Sequence, residues 1–150
     1  RLKEALEKTD QSSELLLAAA QFYDDYAFSG ILDSERKQRY VKLAYDYYQR
    51  YLRRRSGDQR AYVWIGRLLI RSGQNERAAD WLKQIIDEGR SDAHILGWYA
   101  EVLYNLGDYG ALRRFMRDYS AKLQVLLHEE RYSPLAGSVQ LWLNRSMEAA

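Results

Sequence analysis

Apolar side chains return at intervals of three and four along nearly the whole chain, which is the period of a helix buried on one face. Leu15, Leu16, Ala19, Phe22, Tyr23 and Tyr26 keep one such face, with Asp10 and Ser12 as caps before it and Ser29-Gly30 closing it. Upstream, Leu2, Ala5 and Leu6 predict a short separate helix. The next helix spans residues 34–55 and carries Tyr40, Val41, Ala44, Tyr47, Tyr48, Tyr51 and Leu52 inward. Arg53, Arg54 and Arg55 crowd its last turn, where cations complement the helix dipole. Further helices are expected over 59–71, 75–87 and 92–106, ended by Gly73, Gly89 and Gly107, and another from 108 past 119. Residues 123–130 either continue that helix or form their own piece, and Ser133-Pro134 opens a last helix over 134–148. No segment alternates with a period of two, so the fold class is all-α.

A longer period lies over the short one. Gly73 and Gly107 close helices in the same setting, Leu-Ile-Arg-Ser-Gly and Leu-Tyr-Asn-Leu-Gly, 34 residues apart. In the first copy Tyr62, Ile65, Gly66 and Leu69 form a large, large, small, large series, followed by Ala78 and Leu82. In the second copy the series is Leu96, Tyr99, Ala100 and Leu103, followed by Leu112 and Met116. Ala44 and Tyr48 stand one period before Ala78 and Leu82. Small residues at these points allow paired helices to cross closely, and the large ones fill the space between layers. Leu112 departs from the small-residue rule, and Arg90 and Gln124 stand where such repeats often carry proline.

On these residues the chain resembles the tetratricopeptide-repeat family. The resemblance implies a right-handed superhelical stack of antiparallel helix pairs in a single domain over 1–150. The clear repeats are 59–91 and 92–125, a degenerate one is 11–57, and the helix over 134–148 caps the stack.

The resemblance also implies that the first helix of each repeat lines a concave groove. The positions off the packing stripe are Arg60, Val63, Trp64, Arg67, Ile70 and Arg71, then His94, Gly97, Trp98, Glu101, Tyr104 and Asn105. Of these, Arg60, Trp64, Arg67, Arg71, His94, Trp98, Glu101, Tyr104 and Asn105 are the expected partner-binding residues. Trp64 and Trp98 are 34 residues apart, and tryptophan with arginine is the pairing enriched at binding hot spots. The competing reading makes both tryptophans ordinary core, as expected for Trp81 and Trp142. One branch of the family grips chaperone C-terminal carboxylates with lysine, arginine and asparagine. Tryptophans and Val63 occupy several of those positions here, which argues against that ligand.

Composition narrows the chemistry. The 150 residues are 47% hydrophobic and 29% charged, a globular balance with enough chain to bury a core. A net charge of +2 gives no footprint for nucleic acid. Without cysteine there is no disulfide, thiolate metal site or thiol nucleophile. The two histidines, His94 and His128, belong to no spaced acidic set, so Asp24-Asp25 and His128-Glu129-Glu130 are expected to face solvent. No nucleophile–base pair or phosphate loop appears, so no catalysis, cofactor or metal is expected.

The chain starts at Arg1 without methionine and holds no apolar run near the roughly 20 residues of a membrane span. It therefore reads as a cytoplasmic or periplasmic piece of a longer protein whose remainder carries any anchor. The expected function is a scaffold that binds a partner protein segment, in the style of bacterial envelope or exopolysaccharide secretion and assembly proteins. Two alternatives stand beside it. One is self-association through the aromatic surface. The other is binding of a polyanion or membrane surface through Arg50, Arg53, Arg54, Arg55 and Arg60, a cluster that also reads as a solvated helix end.

Overall fold

The structure, a computed structural model, describes the backbone of residues 2–90 and 93–128 and the side chains of 12–90, 95–119 and 121–122. The helix expected over 134–148, with Pro134 and Trp142, lies outside the described residues, as do Glu129, Glu130 and the side chains of His94 and His128. Among the described residues there are six helices: α1 (Leu2–Ala27), α2 (Ser34–Arg54), α3 (Gln59–Arg71), α4 (Asn75–Asp87), α5 (Ala93–Asn105) and α6 (Tyr109–His128). The chain is all-α, and helices adjacent in sequence pack on one another. It divides between Ser72 and Gly73 into two compact units. In the first, α1 packs on α2 and α2 on α3; in the second, α4 packs on α5 and α5 on α6.

Local chemistry sets the helix ends. Asp33 caps α2 by accepting the Arg36 N–H at 2.8 Å, and Asp58 caps α3 by accepting the Arg60 N–H at 3.1 Å. Gly73 and Gly107, which mark the long period, adopt φ of +74° and +73°, a left-handed conformation open to glycine at little cost. The expected break before Asp10 does not occur, because α1 is one helix of 26 residues. Neither glycine nor proline interrupts it, and burial of Leu16, Ala20 and Ala27 outweighs the local preference of Thr9, Asp10, Ser12 and Ser13 for a helix start. Near its other end, α6 runs through Tyr119 at φ −119° and ψ 19°, so residues 123–128 continue the helix across a kink.

The small residues of the repeat pattern are where close packing requires them. Ala44, Ala78 and Ala100 are fully buried, and Gly66 is buried with them. Around them Tyr48, Ile65, Leu69, Leu82, Leu96 and Leu103 form core, each among the buried residues. Leu112, the departure from the rule, is also fully buried, so the bulkier side chain is accommodated inside the second unit.

Candidate partner-binding surface

Helix α3 holds its outward residues in a set of internal contacts. Trp64 is half-buried, with its ring stacked on Tyr48 of α2 at 6.3 Å between centroids and 29° between planes. The Arg60 guanidinium lies 5.6 Å from the same indole. Arg60 also grips Asp58 bidentately, Nε to Oδ1 and Nη2 to Oδ2, each at 3.1 Å. The Tyr51 hydroxyl donates to the other side of that carboxylate. Hydrogen bonding from Arg60 holds the Asp58 carboxyl below its ordinary value, against the opposing effect of burial.

One turn further along α3, two arginines meet a buried acid. Asp24 of α1 is fully buried and accepts the Tyr48 hydroxyl at 2.8 Å through Oδ2. Arg67 Nη2 approaches that oxygen at 3.8 Å, and Arg71 Nη1 approaches Oδ1 at 3.8 Å. These are ion-pair distances, too long for hydrogen bonds. Oδ1 of Asp24 and Nε of Arg67 are both buried without a hydrogen-bond partner. Burial pushes the Asp24 carboxyl above its ordinary value, although Tyr48, Arg67 and Arg71 all pull it down. The Tyr48 hydroxyl is pushed up as well, first by burial and then by the Asp24 charge. Arg71 further lies 4.2 Å over the ring of Phe28, which Lys37 also approaches at 5.0 Å.

The expectation that Asp24 faces solvent is thereby corrected. Asp24 continues the stripe Ser13, Leu16, Ala20 and Ala27, all buried against the unit, so its position on the helix carries it inward. Asp25, one residue on, is exposed.

In the second unit the outward face of α5 is arranged differently. Trp98, Glu101 and Tyr104 are half-buried, Asn105 is exposed, and Gly97 is buried. Tyr104 meets Tyr109 of α6 at 5.8 Å between ring centroids. Burial alone pushes the Glu101 carboxyl above its ordinary value, and no described cation pulls it back.

The arginine cluster at the end of α2 is dispersed by its neighbours. Arg50 lies 5.1 Å over the Tyr47 ring, and Arg53, Arg54 and Arg55 are exposed. A cleft of about 700 Å³ takes in Arg54, Arg55 and Arg60, but Glu14 and Asp58 line it too. A second, of about 730 Å³, holds Arg50 and Arg53 together with Asp46. Both are therefore of mixed charge.

Several contacts had no obvious signal in the sequence. Phe28 as the platform for Arg71 and Asp58 as the anchor of Arg60 depend on turns whose path only the fold shows. Asp24 did leave a trace, since an acid on an apolar helical stripe asks for a partner. Among the described residues, no three His, Asp or Glu side chains come together to hold a metal. No described helix is long and apolar enough to cross a membrane.

No curated protein and no solved structure matches the chain. Residues 41–97 match the tetratricopeptide repeat family, covering α2, α3, α4 and the start of α5. Such repeats are typically non-catalytic modules of protein–protein interaction. The small, buried Ala44, Gly66 and Ala78 fall within the matched stretch, and the chain carries a tetratricopeptide repeat over residues 41–97.

Proposed function

We propose that this chain binds a segment of a partner protein through the outward faces of α3 and α5. The observation that carries the reading is the state of the two tryptophans. Trp64 and Trp98 stand at equivalent repeat positions, and both stay half-exposed while the residues beside them on the packing stripe are buried. Trp64 offers the partner a ring already steadied by Tyr48 and Arg60. Trp98 offers one flanked by Tyr104. Rigid aromatic anchors bind with little loss of side-chain entropy. Arg67 and Arg71 remain partly exposed and favour an acidic group on the partner, although one shared carboxylate already offsets half of their charge.

Selection from a displayed library of random peptides tests this reading. Peptides enriched on the wild-type chain should lose binding to Trp64→Ala or Trp98→Ala, with helicity and melting of each variant close to wild type. Retained binding by both variants would remove these faces from the function, and unfolding of both would assign the tryptophans to the core.

A second reading has its own support. Leu15 and Phe22 of α1 are 70% and 61% exposed, and Phe22 stacks on Tyr26 at 5.9 Å. Such an apolar stripe suits pairing of two copies, and light scattering across a concentration series distinguishes it: a strict monomer rejects it. Polyanion binding has weaker support, since Arg60 is held by Asp58 and both basic clefts contain acids.

A further inference from the structure

We propose that Glu101 selects the partner of the α5 face by pairing with a lysine or arginine side chain of the bound segment. This rests on the reading of α5 as a partner-binding face and names the chemistry it recognises.

Glu101 differs from the other inward-leaning carboxylates described. Asp24 has Tyr48, Arg67 and Arg71, and Asp58 has Arg60 and Tyr51. Glu101 is half-buried with neither an ion pair nor a hydrogen bond among the described residues. A charge drawn partly out of water without a partner is unfavourable, and the free chain carries that cost until something supplies a cation. The equivalent position one repeat earlier is Arg67, which has its counter-charge inside its own unit.

The neighbours of Glu101 fit a cation with a long stem. Trp98 and Tyr104 lie three residues to either side, next to it on the helix surface, and both are half-exposed. Their rings can cover the methylene stem of a lysine or arginine while its head meets the carboxylate, and ring faces attract cations as well. An acidic or purely apolar segment gains neither contact and leaves Glu101 partly desolvated and unpaired. The occupant is therefore a basic segment.

Peptide selection on the wild-type chain and on the Glu101→Gln and Glu101→Lys variants tests the pairing, with Trp98→Ala as the check on the face itself. The wild type should enrich lysine or arginine at a fixed position among Trp98-dependent peptides. Glu101→Gln should lose that preference, and Glu101→Lys should replace it with aspartate or glutamate. A wild-type-selected peptide, synthesised and titrated, should bind Glu101→Gln about tenfold more weakly or worse, as expected for loss of a charge-assisted contact. Trp98-dependent peptides with no basic preference and equal affinity for Glu101→Gln overturn the pairing while leaving the face intact. Absence of any Trp98-dependent peptide overturns the face and the pairing together.

Discussion

The outward faces of α3 and α5 occupy the same place in successive repeats and handle charge in opposite ways. On α3, every arginine has an internal counterpart: Arg60 is fixed by Asp58, while Arg67 and Arg71 converge on Asp24. On α5, Glu101 meets no described cation. The first face is organised before any partner arrives, and the second waits for one. A charged residue off the packing stripe is thus an incomplete guide to binding. What matters is whether the chain has already answered that charge itself.

The sharpest way to break the contrast is Asp24→Ala. It leaves Arg67 and Arg71 without their carboxylate and Tyr48 without its acceptor inside the first unit. Removing one partner of a buried ion pair costs about 3–5 kcal/mol, and urea denaturation should show a loss of that order. A loss under about 1 kcal/mol, typical of an exposed pair, would mean the α3 face is not organised by Asp24.

Asp58→Ala should have a smaller effect. It removes the α3 cap and the acceptor of the Tyr51 hydroxyl, and cap replacements of this kind cost about 1 kcal/mol. The melting temperature should fall modestly, and Arg60 should become free to bind anions. An unchanged melting temperature would show that α3 holds its start without the cap.

The smallest effect, and the one that tests the second face, is the pH dependence removed by Glu101→Gln. Burial raises the folded pKa of Glu101 above its ordinary value of 4.5, so the folded chain keeps this proton to higher pH than the unfolded chain. Its contribution to stability is therefore fully present below 4.5 and is lost as pH rises through the raised value. The Gln variant lacks that decline, so wild type minus variant stability should fall with rising pH from 4.5 upward. A difference that rises instead would mean Glu101 has found a cation, contrary to the comparison. Asp58, whose pKa is lowered, acts in the opposite sense: it stabilises above its unfolded value of 3.8 and loses that effect as pH falls through its folded value.

Much of the architecture was legible before the structure because it depends on local spacing. Helices α2, α3 and α4 end within a residue of where polar caps and glycines placed them, and Ala44, Gly66, Ala78 and Ala100 are buried as the 34-residue period required. Helix α1 was misjudged at its start, since Asp10 and Ser12 look like caps in isolation and only packing along α2 overrides them. The candidate surface was legible in its residue types but not in its pairing. Nothing in the spacing of Arg67 and Arg71 says that an acid more than forty residues earlier will reach them. Long-range pairing is a property of how helices dock, and a helical period carries no information about it.

The buried carboxylate of α1 has a consequence for anyone who would move this surface elsewhere. The face of α3 is a property of three helices: Asp24 on α1 and Tyr48 on α2 set the position and charge of Arg67 and Arg71. Grafted alone onto another repeat scaffold, α3 would bring two arginines whose counter-ion stayed behind. Drift in a lineage meets the same constraint, since Asp24 and its three partners change together or not at all. The inheritable unit of this surface is the set of four residues, not the helix that displays them.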